Sequence, residues 1–174
     1  MNIKSNKGIS LIVLLITIIV LIIIAGIIIS SGRDTIERAN LETSKTNMLL
    51  IRAKAKEYCE QANFKIGTNT QDTTKGVQYL NEIFEIDENY TEGKVELDKL
   101  SLSYSNEYPY SIKFNENKLR KIGLNEVANS NNKNDYVVGF NIVNNKVEVF
   151  SINGYKSKDG NVYHILSELE NIDE

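Results

Sequence analysis

The sequence predicts an α+β protein in which a long N-terminal helix packs on a small antiparallel β-sheet. Two hydrophobic patterns along its 174 residues carry this prediction. The first third is continuously apolar and then apolar at spacings of three and four residues, which is typical of a helix. The C-terminal half has short runs in which apolar residues alternate with polar ones, separated by turns rich in Asn and Gly, which is typical of antiparallel strands.

The apolar stretch from Ile9 to Ile29 contains no charged residue. A helix of about 20 residues is about 30 Å long, which matches the hydrocarbon core of a bilayer. We therefore expect a membrane-spanning helix over residues 9–31. Lys4 and Lys7 precede it, and the preference of basic residues for the cytoplasmic side predicts a cytoplasmic N-terminus and an extracytoplasmic head over residues 32–174.

An ordinary secretory signal peptide is the first alternative for this stretch. Its apolar region has about 7–15 residues and ends in a small-residue cleavage site of the A-x-A kind. The stretch here is longer, and the only segment it offers for such a cleavage site is Ala25-Gly26-Ile27. The pattern therefore favours a retained helix over removal by signal peptidase.

The order of residues at the head of the stretch is Lys7-Gly8-Ile9-Ser10-Leu11-Ile12. A short basic leader that ends in Gly, followed at once by an apolar segment and an amphipathic helix, resembles the N-terminus of type IV pilins and of type II secretion pseudopilins. The resemblance implies a pilin-like fold and a leader over residues 1–8. It also implies cleavage between Gly8 and Ile9 by prepilin peptidase, and methylation of the new N-terminus at Ile9.

Two positions depart from the family pattern. The first mature residue is usually Phe or Met, and here it is Ile9; the fifth is usually Glu, and here it is Val13. In the family this carboxylate neutralises the terminal amine of a neighbouring subunit in the apolar filament core, where an unpaired charge is costly. Some minor pseudopilins at filament tips also lack it, so Val13 is compatible with a tip subunit.

The resemblance thus implies a structural, minor pilin-like or pseudopilin-like subunit of a type IV pilus or a type II secretion-like system. Its expected location is the cell membrane, as a single-pass protein, or a cell-surface filament. Its expected partners are membrane lipid, prepilin peptidase, and other pilin-like subunits or assembly proteins. An unprocessed, membrane-anchored surface protein with a protein-binding head is the alternative, and Val13 is the feature that favours it.

A membrane-tethered enzyme is a third hypothesis, which finds little support in the sequence. The one histidine, His164, lies between Tyr163 and Ile165 beside no obvious nucleophile, and no zinc-binding or phosphate-binding motif is present. We therefore predict no catalytic residues, no cofactor and no metal. The net charge of −3 becomes −5 once a leader with two lysines is removed, which argues against nucleic acid as a partner.

The helix is expected to continue as an amphipathic segment from Arg33 to about residue 62. Its predicted buried stripe consists of Ile36, Ala39, Thr43, Leu50, Ile51, Ala55, Tyr58, Cys59 and Ala62. Cys59 is the only cysteine, so an intramolecular disulfide is excluded, and we interpret this residue as a small buried hydrophobic side chain.

Residues 63–94 are predicted to form a variable region between the long helix and the sheet. A second, short helix is expected after Asp72 or Thr73, because Val77, Leu80, Ile83 and Phe84 follow at helical spacing.

The acidic segment 87–93 matches part of the residue pattern of an EF-hand calcium-binding loop. Asp87, Asn89 and Thr91 would supply oxygen ligands, but Glu92 stands where the loop needs Gly and Asp98 where it needs Glu. We therefore interpret the segment as a solvated acidic loop.

Residues 95–174 are expected to contain three or four antiparallel strands and a C-terminal helix. The candidate strands are Val95–Leu100, Tyr108–Phe114, Leu119–Leu124, Tyr136–Val143 and Lys146–Ile152, followed by an extended Val162-Tyr163. Asn144-Asn145 predicts a two-residue hairpin turn between two of these strands. Ile165, Leu166, Leu169 and Ile172 lie close to one face of the predicted last helix.

Overall fold

The structure is a computed structural model that describes residues 7–68, 70–85, 91–102, 107–129 and 135–172, with the side chains of 7–13, 23–34 and Thr91 left out. The chain divides into two compact units, Met1–Asn40 and Leu41–Glu174. The helices and strands are, in chain order, α1 (Lys7–Ile66), α2 (Thr74–Phe84), α3 (Thr91–Lys99), β1 (Tyr110–Phe114), α4 (Glu116–Lys121), α5 (Asn125–Ala128), β2 (Tyr136–Asn141), β3 (Lys146–Lys156), β4 (Val162–Ile165) and α6 (Leu166–Leu169).

The membrane-spanning part of the predicted fold is corrected by the structure. Among the residues described, no helix combines the length and the apolar character that a bilayer requires. The requirement is about 20 consecutive apolar residues, because the hydrocarbon core of a bilayer is about 30 Å thick.

The second unit contains a four-stranded antiparallel sheet in the order β1-β2-β3-β4. Val138 in β2 pairs with Ile112 in β1 and with Val149 in β3. The predicted β2–β3 hairpin is confirmed, but its connection spans residues 142–145 instead of two residues. Asn145 ends this turn with φ of 50°, a left-handed conformation that Asn adopts more readily than most residues.

Both faces of the sheet are covered, and β2 is buried along its whole length. On the first face, Val138 and Phe140 belong to the large core that includes residues of α1, α2, α4, α5 and α6. On the second face, Val137 and Phe150 pack with Leu97 of α3 in a smaller core. A strand with both faces covered is apolar at almost every position, which explains the unbroken Tyr-Val-Val-Gly-Phe run.

The C-terminal part of α1 buries one stripe against the first face of the sheet. The buried residues recur at helical spacing and are Leu41, Met48, Ile51, Ala55, Cys59, Ala62 and Ile66. Ile51, Ala55, Cys59 and Ala62 confirm the predicted stripe. Ile36, Ala39, Thr43 and Leu50 do not, because they are exposed, Ile36 at 62% and Leu50 at 41%, and Tyr58 is half-buried. Spacings of three and four fit two adjacent stripes, and the position of the sheet decides which one is buried.

Helix α2 begins and packs as predicted. The Oδ1 atom of Asp72 accepts a hydrogen bond from the backbone N–H of Thr74 at 3.0 Å. The hydroxyl of Thr73 instead lies 2.7 Å from the phenol oxygen of Tyr110 in β1. Phe84 ends the helix inside the core, where its ring contacts those of Tyr58, Phe114 and Phe140.

Two predicted strands, Val95–Leu100 and Leu119–Leu124, are helical instead. The first lies mostly within α3, and the second covers the end of α4 and the turn after it. Asn115 caps α4 by accepting a hydrogen bond from Lys118 N at 3.1 Å, and Arg120 pairs with Glu116 one turn earlier. In such short apolar segments, capping and i,i+4 pairing favour the helix, and the period alone does not separate helix from strand.

The C-terminal segment is more extended than predicted. Strand β4 runs from Val162 to Ile165, and the last helix, α6, is a single turn from Leu166 to Leu169. Ile165 packs in the core of the second face, whereas Leu166 and Leu169 pack in the core of the first face. The change from strand to helix therefore carries the chain across the edge of the sheet.

Candidate functional site

The residues of the predicted processing site lie at the beginning of α1. Lys4 lies outside the described residues. Lys7, Gly8, Ile9 and Val13 lie in the first two turns of the helix, where only the backbone is described. The bond between Gly8 and Ile9 therefore lies in the first helical turn, whose N–H groups have no partner within a helix.

The calcium-binding loop, which the sequence disfavours, finds no geometric support, and the predicted acidic loop is helical from Thr91 onward. Asp87 and Asn89 lie outside the described residues, while Thr91, Glu92 and Asp98 lie in α3 and not in a loop. Across the described ranges, no group of three or more His, Cys, Asp and Glu residues is placed to hold a metal ion. A helix also cannot wrap its side chains around one cation as the EF-hand loop does.

Cys59 is buried as predicted, at 0% exposure, between α1 and the β2–β3 hairpin. Its Sγ lies 3.7 Å from the carbonyl oxygens of Asn141 and Lys146. Burial raises the pKa of the thiol to about 11, because the surrounding core disfavours the thiolate. A thiol in this state packs as an apolar side chain and is a poor nucleophile.

His164 lies in β4 and is half-buried. Its Nδ1 atom is 2.9 Å from the carbonyl oxygen of Ser151 on the neighbouring strand. The hydroxyl of Ser151 instead accepts a hydrogen bond from the backbone N–H of Gly154 at 3.2 Å. The imidazole is thus not paired with the serine hydroxyl, as a base that activates a nucleophile would be.

The described part of the head contains a groove of about 570 Å³ that the sequence did not predict. We call it the basic groove. It lies between α1, the segment before β1 and the β2–β3 turn, and it is lined by Leu49, Arg52, Ala53, Lys56, Tyr108, Asn145, Lys146 and Val147. The four residues from α1 recur at spacings of three and four, so they share one face of the helix.

The lining of the basic groove contains three cations and no carboxylate, although the whole chain has 20 basic and 23 acidic residues. Arg52 donates to both carboxylate oxygens of Glu170, at 2.7 and 3.4 Å. Lys146 lies 3.7 Å from Glu107. Lys56 donates to the backbone carbonyl oxygen of Asn145. Lys56 also lies 4.0 Å from Glu60, so each of the three cations has a carboxylate partner near the groove.

Glu148 lies beside the groove and is buried at 9% exposure. Its Oε1 accepts a hydrogen bond from the backbone N–H of Val149 at 3.0 Å. Burial raises the pKa of this carboxyl, although the Val149 hydrogen bond and the charge of Arg52 act in the opposite direction. The desolvation cost dominates, so the neutral form is favoured at a higher pH than in an exposed glutamate.

The sequence alone could have grouped only some of the residues that line the basic groove. Leu49, Arg52 and Lys56 lie three and four residues apart, so a helical wheel of α1 would have grouped them. Tyr108 and Asn145 reach the groove from separate segments, and only the fold brings them to it.

Comparisons with known proteins find no match to a protein-family model, to a curated protein or to a solved structure. Function is therefore inferred from the N-terminal motif and from the geometry of the head.

Proposed function

We propose that the protein is a structural subunit of a pilin-like or pseudopilin-like system, cleaved after Gly8 by prepilin peptidase and methylated on Ile9. The observation that carries the proposal is the run Lys7-Gly8-Ile9 directly before the charge-free stretch that ends at Ile29. Lys4 and Lys7 make the segment before the cleavage site basic, which favours retention of the leader on the cytoplasmic side.

The head supports a structural role. Its described residues contain no paired nucleophile and base around His164 and no metal-binding cluster, and its free thiol is buried. The basic groove is lined by cations and by apolar and uncharged polar groups, a composition that suits protein contacts more than bond cleavage. We propose a location at the cell membrane with the head outside the cytoplasm, and other subunits of the same system as partners.

Val13 favours a second candidate, a membrane-anchored surface protein that is never processed or assembled. It stands where the family carries the Glu that pairs with the terminal amine of a neighbour. The two candidates differ in their mature N-terminus, so one measurement separates them.

The experiment expresses the full-length chain in its bacterial membrane with and without prepilin peptidase, followed by intact mass and N-terminal sequencing. We expect a chain that begins at Ile9 and carries one additional methyl group, formed only when the peptidase is present. The variant Gly8→Val should retain the leader, because a branched side chain replaces the glycine at the scissile bond. The matched control Gly26→Val should be processed normally.

A start at Met1 under all conditions would refute the proposal and support the unprocessed anchor. Processing that proceeds without the peptidase, or equally in Gly8→Val, would assign the cleavage to another enzyme. If Ile9 is the start, the variant Val13→Glu then asks where the subunit resides. We expect this carboxylate to increase the amount of the protein in sheared filaments, because it supplies a partner for the terminal amine.

A further inference from the structure

We propose that residues 170–172, which follow α6, form a pH-sensitive strap that is fastened to α1 while Glu148 is neutral and loosens when Glu148 ionises. The contacts that fasten the strap join residues that are 118 and 127 positions apart in sequence. Every residue involved belongs to the second unit, so the inference does not depend on how the N-terminus is processed.

Two polar contacts fasten the strap to α1. Arg52 donates to both carboxylate oxygens of Glu170, at 2.7 and 3.4 Å. Two turns earlier on the same helix, the Nζ atom of Lys45 donates to the backbone carbonyl oxygen of Ile172 at 3.2 Å, and the Lys45 side chain is only 16% exposed. The helix therefore holds the strap by one contact to a side chain and one to the backbone.

The strap has weaker apolar contacts than the helix before it. Leu166 and Leu169 of α6 are fully buried in the large core, whereas residues 170–172 are exposed or half-buried. The backbone N–H groups of the three strap residues donate to carbonyl oxygens within α6. The strap can therefore separate from α1 while α6 stays in the core, and its N–H groups then become open to exchange with solvent.

Glu148 of β3 supplies the titratable group beside the strap. Its side chain is buried, at 9% exposure. The charge of Arg52 reaches it from α1, and the hydroxyl of Ser167 and the carboxylate of Glu170 reach it from α6 and the strap. The cation that faces Glu148 is thus the same one that binds Glu170.

The other elements next to Glu148 offer it no free charge. Its partner across the sheet is Gly139 of β2, against which Tyr108 packs. Lys146 precedes Glu148 by two residues on β3, and its Nζ atom lies 3.7 Å from the carboxylate of Glu107. The ionisation of Glu148 therefore acts mainly on the contact between Arg52 and the strap.

The direction of the effect follows from burial. Burial raises the pKa of the Glu148 carboxyl; the Val149 hydrogen bond and the charge of Arg52 oppose this shift, and the charge of Glu170 adds to it. When the strap lifts, water reaches Glu148 and its pKa returns toward the ordinary value, so ionisation and opening favour each other. An ionised Glu148 also repels Glu170 and competes with it for Arg52. Fastening is therefore strongest near the ordinary carboxyl pKa and is lost as pH rises through the raised one.

Hydrogen–deuterium exchange with mass spectrometry tests the strap, using the full-length protein in a nonionic detergent at pH 5, 7 and 8.5. The original protein and Glu148→Gln are compared at the same pH, so that the intrinsic pH dependence of exchange cancels. We expect the peptic peptide that contains the strap to exchange about threefold to fivefold faster in the original protein at pH 8.5, the factor that corresponds to loss of an exposed ion pair. The difference should shrink toward pH 5.

Two controls locate the effect. The peptide that contains β2 should stay protected at the same labelling times, since this strand is buried along its whole length. Glu168→Gln removes an exposed carboxylate from α6 and should keep the pH dependence of the original protein. A urea denaturation of each variant checks that the head is folded.

Glu170→Gln tests the fastening without a change at Glu148. We expect it to speed exchange of the strap at pH 5 and to reduce the pH dependence, because the contact with Arg52 and the repulsion of Glu148 are both lost. The proposal is overturned if the ratio between the original protein and Glu148→Gln is constant with pH, or if Glu168→Gln abolishes the pH dependence as well. Unchanged exchange in Glu170→Gln would also refute it, and joint exchange of the strap and β2 would show unfolding of the whole head instead.

Discussion

Replacement of Phe84 by Ala should strongly destabilise the head. Phe84 is 1% exposed, and its ring centroid lies 5.2 Å from that of Tyr58 on α1 and 5.0 Å from that of Phe114 on β1. It therefore joins α2 to both the long helix and the sheet. A buried Phe removes about 200 Å² from water, which at about 25 cal/mol/Å² corresponds to an upper limit of about 5 kcal/mol.

We expect a loss of about 3–5 kcal/mol in the free energy of unfolding, the range typical of Phe to Ala in a core. The chain has nine tyrosines and no tryptophan, so near-ultraviolet circular dichroism of tyrosine follows the tertiary packing. In urea, a slope of about 2 kcal/mol/M corresponds to a decrease of about 2 M in the unfolding midpoint.

Phe64 supplies a matched control, because it is also an aromatic residue near the end of a helix but is 84% exposed. The same substitution, Phe64→Ala, should change the free energy of unfolding by less than about 1 kcal/mol, since little area returns to water. Equal losses in the two variants, or a loss below 1 kcal/mol in Phe84→Ala, would refute the placement of α2 in the core.

Three further predictions concern α3 and the two buried titratable groups. A Cβ atom at Gly93 would lie 2.0 Å from the backbone oxygen of Ser111, so Gly93→Ala should lower the free energy of unfolding in urea by about 1–3 kcal/mol. The control Lys94→Ala should change it little. An unchanged urea midpoint for Gly93→Ala would contradict the close packing of α3 on β1. Cys59, with its thiol pKa of about 11, should react with iodoacetamide at pH 8 about 100-fold more slowly in the native protein than in urea, and equal rates would show an accessible thiolate. The pKa of the Glu148 carboxyl is raised, so its contribution to stability is complete below the ordinary carboxyl pKa and is lost as pH rises through the folded value. The stability of Glu148→Gln relative to the original protein should therefore increase from pH 4 to pH 7. A constant difference between the two proteins would exclude a raised pKa.

Local patterns predicted the elements whose residues carry a strong period. The buried stripe of α1, the apolar face of α2 and the β2–β3 pair follow from spacings that are visible within about ten residues. The start of α2 next to Asp72 was likewise accessible, because the hydrogen bond from Thr74 N–H to Asp72 requires only neighbouring residues. These predictions succeeded because the interactions that decide them are local.

The predictions were wrong where the local sequence pattern fitted two structures equally well. Val95–Leu100 is apolar at nearly alternate positions but lies mostly within α3, where Gly93 allows the helix to approach the backbone of β1. Leu50 and Ile51 both fit a helical stripe, and only Ile51 is buried. In each case the surface against which the segment packs decided its structure or burial, and that surface comes from a distant part of the chain.

The sequence by itself determined the N-terminal motif at Gly8 and Ile9, the charge-free stretch that follows it, the helical period of α1 and the antiparallel hairpin. Tertiary structure alone decided which stripe of α1 is buried, that α3 covers the second face of the sheet, and that Tyr108 and Asn145 meet the cations of α1 in one groove. The physical reason is the distance along the chain over which each kind of interaction acts. Backbone periodicity and capping act over a few residues, whereas burial and the convergence of charges depend on contacts between segments far apart in sequence.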